Sequence, residues 1–243
     1  QINLCRCYDE GLGLEMNLHR ATHYCRLAAE SGDAGGQNKL GLRYEVGRGI
    51  EQSMTWAFYW FKKSADQGYC AGMYNLGRLF ENGVPGECGM PDVPPNQNEA
   101  FQLFRQAAQL GDLNAVNMLG CCFSKGSGTA PDPYKAAMQY KHAADRGHAT
   151  AMYNHARCYQ HGLGEDVDLK KAAKLFCMAA LQGHAHAQHE MGVCFLDGNG
   201  VKPNENEAVR WFKLAAQQGH NVSKECLVKL RGEIITSAPT TVI

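Results

Sequence analysis

Residues 40–49 read Leu-Gly-Leu-Arg-Tyr-Glu-Val-Gly-Arg-Gly, and residues 191–200 read Met-Gly-Val-Cys-Phe-Leu-Asp-Gly-Asn-Gly. In both, an aliphatic residue and a glycine stand five residues ahead of a Gly-x-Gly turn, and the chain between them fits a period of 36 residues. A period of roughly 20 to 50 residues is the mark of a repeat array, so it outranks local propensity in deciding the fold. Repeats starting at Gln1, Gln37, Met73, Val116, Met152 and Gln188 align the chain, with one seven-residue insertion in the third and a partial capping unit from Lys224.

The aligned columns describe two helices per repeat. Eleven residues before each closing glycine (Gly32, Gly68, Gly111, Gly147, Gly183, Gly219) stands an alanine: Ala21, Ala57, Ala100, Ala136, Ala172 or Ala208. Four residues later comes Cys25, Phe61, Phe104, Tyr140, Phe176 or Phe212, and then a small pair such as Ala107-Ala108 or Ala215-Ala216. Spacings of i, i+4, i+7 and i+8 lie on one helical face, where the alanines admit a close neighbour. Asn17, Ser53, Asn96, Asp132, Asp168 and Asn204 precede the alanines by four residues, as N-caps should, and Pro133 follows Asp132 where its missing N–H is harmless. The closing glycines suit the left-handed position that ends a helix. First helices carry Leu-Gly and an aromatic, as in Leu40, Gly41, Tyr44 and Leu76, Gly77, Phe80. Two such short helices cannot bury their apolar faces alone, so the pairs must stack on one another.

These residues give the chain a resemblance to the Sel-one-like repeat, a relative of the tetratricopeptide repeat, over residues 1–232. The resemblance implies an all-α, right-handed α-α superhelical solenoid of six helix-turn-helix repeats, acting as a scaffold or adaptor without a catalytic site. Cys5 and Ala156 depart from it at the Leu-Gly glycine, and His155 and Met191 at the leucine. One cysteine-rich branch of the family closes each helix pair with a disulfide near the end of the second helix, and that regular pairing is missing here.

Composition excludes other classes. Hydrophobic residues make up 44% and charged residues 20%, which is ordinary globular composition, and no stretch approaches a membrane span. With 24 basic and 24 acidic residues the formal charge is zero, so no electrostatic footprint for nucleic acid or an anionic membrane is expected. The chain opens with Gln1 and its register begins mid-helix, so it reads as a piece of a longer protein. An accessory repeat domain of a larger, catalytic chain is therefore the alternative to a free-standing scaffold.

Eleven cysteines are an odd number and cannot all pair internally. Cys7, Cys122, Cys158 and Cys194 share one column, and equivalent stacked helices lie about 9 to 10 Å apart, too far for bridges between them. They read as small buried hydrophobes, and a reducing intracellular compartment is expected. His184, His186, His189 and the set His155, Cys158, His161 lack the paired spacing of a zinc site, so no metal or other cofactor is expected. Phosphate-loop, nucleophile-elbow and metalloprotease motifs are absent, so no enzyme is expected. The insertion, Val84 to Pro95, reads as an irregular loop projecting from one rim. Glu233 to Ile243 read as a flexible tail whose last three residues fit the form bound by strand-adding PDZ pockets.

On a helical wheel with the Leu and aromatic columns inward, the second, third, sixth, ninth and tenth positions of the first helix point away. The odd repeats carry Asn3 and Arg6, Asn75 and Arg78, Asn154 and Arg157 there, each pair at i, i+3, with Tyr74 and Tyr153 beside two of them. An amide next to a guanidinium suits a peptide backbone beside a carboxylate, and Tyr and Arg are frequent interface anchors. These eight residues are the candidate binding set, on the helices that line the concave groove in tetratricopeptide-like stacks. The partner expected there is a peptide or helix of another protein.

Overall fold

The structure, a computed structural model, describes residues 1–87 and 91–236, with side chains to residue 230. Among these residues the elements are helices in sequence: α1 (Ile2–Glu10), α2 (Leu18–Glu30), α3 (Ala34–Val46), α4 (Met54–Asp66), α5 (Cys70–Asn82), α6 (Gln97–Gln109) and α7 (Leu113–Lys125). They continue as α8 (Pro133–Ala144), α9 (Ala149–His161), α10 (Leu169–Leu181), α11 (Ala185–Asp197), α12 (Glu205–Gln217) and α13 (Asn221–Thr236). They divide into two compact units, Gln1–Pro131 with α1 to α7 and Asp132–Ile243 with α8 to α13. Within each unit every helix packs on the next.

Capping chemistry places the helix starts. Asn17, Ser53, Asn96, Asp132, Asp168 and Asn204 each accept, through a side-chain oxygen, the backbone N–H three residues on, so all six second helices open as the sequence predicts. They close at glycines held at φ between 80° and 92°.

Why the first helices need glycine is a matter of contact. Phe61, Phe104, Phe176 and Phe212 are fully buried. A Cβ added to Gly41, Gly77 or Gly192 would lie 2.6, 2.7 or 2.5 Å from the ring of Phe61, Phe104 or Phe212. The glycine thus lets the backbone of the first helix lie flush against the aromatic of the second, with burial worth about 2 to 3 kcal/mol for each ring. The second glycine of the Gly-x-Gly turn couples repeats instead: Gly49 abuts the backbone at Leu18 and Gly200 that at Leu169, each in the first turn of the preceding repeat's second helix.

The insertion differs from its expectation. Val84 and Val93 exchange two backbone hydrogen bonds of 2.8 Å, pinching its base. The Ser53 hydroxyl donates to the Glu87 carboxylate at 2.8 Å, so the ascending arm docks on the first turn of α4 and does not simply project. An anion is favoured at that helix N-terminus. The tip, 88–90, lies outside the described residues. At the other end α13 continues to Thr236, into the segment read as a tail, and 237–243 also lie outside the described residues.

Candidate functional site

In the first unit the candidate residues sit on α1 and α5. Asn3 and Arg6 are exposed, Arg6 with Glu10 at 3.9 Å one turn away. Tyr74 is half-buried, and its ring packs on Phe104 with centroids 6.0 Å apart. The Arg78 guanidinium lies 5.9 Å above the Tyr74 ring centroid and donates to Glu45 on α3 at 3.0 Å. Asn75 is a correction to the sequence reading. It is 6% exposed, because α5 packs against α3 there, and its amide is consumed: Nδ2 donates to Asn38 at 2.8 Å, and Oδ1 accepts from Arg78 at 3.2 Å. Asn75 therefore braces Arg78 from below and presents nothing to a ligand.

In the second unit α9 builds a similar rung. Tyr153 packs on Phe176 with centroids 5.8 Å apart, and the exposed Arg157 lies 6.0 Å above its ring centroid. The interplanar angles of the two Tyr–Phe contacts, 48° and 49°, show the same arrangement built twice. Tyr153 also stacks on His184 at 4.9 Å, and Asn154 is half-buried. Burial raises the phenol pKa of both tyrosines, so both stay neutral platforms at ordinary pH. A guanidinium over such a ring keeps its outward N–H groups for a carboxylate.

The histidines serve another purpose than ligation. Nδ1 of His148 accepts the N–H of Ala151, that of His184 the N–H of Ala187, and that of His220 the N–H of Ser223, so three imidazoles cap first helices where Asp33 and Asp112 cap theirs. His155 is buried, its Nε2 standing 3.5 Å from Glu165 without hydrogen-bond alignment, while His161 is exposed. Among the described residues no group of three or more His, Cys, Asp or Glu converges as metal ligands would, and no helix is long and apolar enough to cross a membrane.

Sequence reasoning missed a polar cluster between α1, α2 and α3. Arg43 is 5% exposed and donates to Asp9 at 2.6 Å, to Thr22 at 3.2 Å and to the Arg48 carbonyl at 3.0 Å. The second N–H of Nη2 faces the Cys5 sulfur at 3.8 Å. Beside it opens a pocket of about 360 Å³ lined by Cys5, Arg6, Asp9, Lys39 and Arg43 among others. The available signal was an arginine in a column that elsewhere holds cysteine or leucine, beside two cysteines replacing the glycine and the aromatic of a single repeat.

Comparison with known proteins places this architecture. The family model described as Sel1 repeat matches residues 1–33, 34–69, 70–112, 113–148, 149–184 and 185–220, each match spanning one helix pair. A Sel1 repeat protein of Oxalobacter formigenes has a similar structure, with TM-score 0.80, 30% identity, and 88% of this chain and 83% of that chain covered. A protective antigen of uropathogenic Escherichia coli displaying an SLR fold aligns with TM-score 0.71 and 26% identity over 94% of this chain and 48% of that one. An immunity protein of Pseudomonas aeruginosa, at TM-score 0.59 and 18% identity over 89% of this chain and 82% of its own, shares the fold alone. No curated protein matches the chain. Six consecutive family matches over paired, stacked helices make this chain a member of the Sel1 repeat family, an all-α solenoid fold.

Proposed function

We propose that this chain is a non-catalytic scaffold in each of whose units the first helices grip an acidic segment of a partner protein. One observation carries the reading: a guanidinium mounted over a half-buried tyrosine, itself seated on a buried phenylalanine, built once in each unit as Arg78–Tyr74–Phe104 and Arg157–Tyr153–Phe176. Mounting an arginine in this way lowers the entropy it loses on binding, and its planar fork fits a carboxylate in bidentate fashion. Arg157 is the stronger anchor of the two, since Arg78 already shares its charge with Glu45. Arg6 offers a further exposed cation on α1.

A peptide library displayed on phage and selected on the intact chain tests this. Selected peptides should be enriched in Asp, Glu or a free carboxyl end. Replacing Arg78 and Arg157 together by alanine should weaken their binding about tenfold or more, equivalent to about 1.4 kcal/mol, with the helical signal unchanged. Arg157→Lys should recover only part of the loss. Peptides without acidic enrichment, or bound equally by the double variant, would overturn the reading.

A further inference from the structure

In repeats two, three and six a glycine on the first helix meets the ring of an aromatic on the second. The first repeat fills both places with cysteine: Cys5 on α1 and Cys25 on α2. Both are buried, at 4% and 0% exposure, and both belong to one apolar cluster. One sulfur on each helix, at the two positions whose side chains meet in those repeats and within one apolar cluster, is an arrangement from which a disulfide can close. It differs from the ladder between stacked repeats that the spacing of Cys122, Cys158 and Cys194 rules out.

The two thiols are not equivalent. Cys5 receives an Arg43 N–H at 3.8 Å and lines the pocket shared with Arg6 and Lys39, so its sulfur stands beside a fixed cation and within reach of a small molecule. Cys25 lies deeper, its sulfur 3.7 Å from the Gly36 carbonyl and in hydrogen-bond reach of the Cys5 sulfur, so that its one S–H turns from the carbonyl to Cys5 when Cys5 ionises. The Cys25 thiol and the Arg43 guanidinium together hold the Cys5 pKa below its ordinary value, against burial and the Asp9 carboxylate, while hydrogen bonding to Cys5 and burial push Cys25 upward. Burial pushes Cys122, Cys158 and Cys194 up to about 12, 11 and 11, outweighing the pull of Lys125 on the first and of Arg157 on the second.

We infer that Cys5 and Cys25 form a redox pair, Cys5 being the thiolate that a hydroperoxide oxidises and Cys25 the thiol that resolves it into a disulfide joining α1 to α2. In the first step the Cys5 sulfur attacks one peroxide oxygen. The O–O bond breaks, Cys5 becomes a sulfenic acid, and the leaving oxygen departs with a proton as water or alcohol. In the second step Cys25 loses its proton and its sulfur attacks that of Cys5, so that the S–S bond forms, the S–O bond breaks and water leaves. Two thiols are oxidised and one peroxide is reduced. The product removes the Cys5 thiolate as an acceptor for Arg43, leaving Asp9 as its anionic partner at the floor of a pocket rimmed by Arg6, and it fixes the first helix pair. None of this rests on the peptide-binding reading.

The test treats the folded, reduced chain with a small excess of hydrogen peroxide, blocks residual thiols and maps tryptic peptides by mass. Cleavage after Arg6, Arg20 and Arg26 leaves residues 1–6 and 21–26 as separate peptides. They should appear joined, two hydrogens lighter than their sum, and part again on reduction. At about neutral pH, brief iodoacetamide treatment should label Cys5 at least about tenfold faster than Cys122, Cys158 or Cys194. Arg43→Met should slow both reactions, and circular dichroism should show that this variant keeps its helices. Arg43→Lys, which keeps the charge, should restore part of the rate. The inference falls if unmodified folded protein yields no joined peptide, or if Cys5 labels no faster than those buried thiols; neither result depends on a variant folding.

Discussion

At the residue scale, Gly192 and Cys5 occupy the same column and meet the same demand, room for a side chain of the second helix, by opposite means. Gly192 vanishes so that Phe212 can press on the backbone, and a Cβ there would lie 2.5 Å from the ring. Cys5 keeps a side chain because its opposite number has shrunk to Cys25. Helix propensity alone favours Gly192→Ala by about 1 kcal/mol. Overpacking a buried contact is worth about 1 to 3 kcal/mol in the other direction, and the atoms in the way belong to a ring wedged at 0% exposure. Gly192→Ala should therefore lower stability by about 1 to 2 kcal/mol in urea unfolding. Gly192→Ala with Phe212→Leu should lose less than the sum of the separate changes, since the smaller side chain admits the methyl group. Strict additivity would show that the contact is not what selects glycine.

At the element scale, the first helices of the second unit begin on imidazoles where α3 and α7 of the first unit begin on Asp33 and Asp112. An imidazole caps a backbone N–H only through an unprotonated nitrogen, and a positive charge at a helix N-terminus opposes the helix dipole. Burial holds the pKa of His184 below its ordinary value, with His186 adding to the effect, and burial with His189 and His186 does the same at His220, while Glu190 acts the other way. A depressed folded pKa means that the unfolded chain binds more protons, so the stability these histidines contribute is present above the unfolded value near 6.5 and is lost as pH falls through the folded one. The melting temperature should fall between about pH 7 and about pH 5. His184→Asp, which installs the cap used at Asp33, should flatten that slope. A slope unchanged in His184→Asp would place the pH response elsewhere, with His155 beside Glu165 the next group to examine. His148, His184 and His220 were legible as members of the turn because they recur at the same place; their capping role was not, since imidazole is a rare substitute for the side chains that define a cap in sequence.

At the scale of the whole molecule, the difference between what was legible and what was not follows from periodicity. A contact made in every repeat leaves a column, so the N-caps, the alanines and the closing glycines could be read without coordinates, and the glycine and aromatic columns could be read although their contact could not. A contact made once leaves none. The Asn75–Asn38 hydrogen bond, the Glu87–Ser53 tether and the Cys5–Cys25–Arg43 cluster each join different columns of neighbouring segments, and a wheel drawn for one helix could not show that α3 covers Asn75. The same nearest-neighbour character governs energetics, because a repeat array is held by the internal stability of each unit and its interfaces with adjacent ones. In Gln1–Pro131, Phe61 lies in a cluster that runs from α4 through α5 and α6 and reaches α7 at its far edge, at Ala115, while Cys25 and Phe104 belong to two others. Phe61→Ala deletes a buried ring, a change worth about 3 to 5 kcal/mol. Hydrogen exchange followed by mass spectrometry should show the largest loss of protection in α3, α4 and α5, with a smaller loss in α7, which α4 does not adjoin in the chain of packed helices. An equal loss across all seven helices would mean that this unit opens only as a whole, its interfaces being strong enough to transmit the defect from one repeat to the next undiminished.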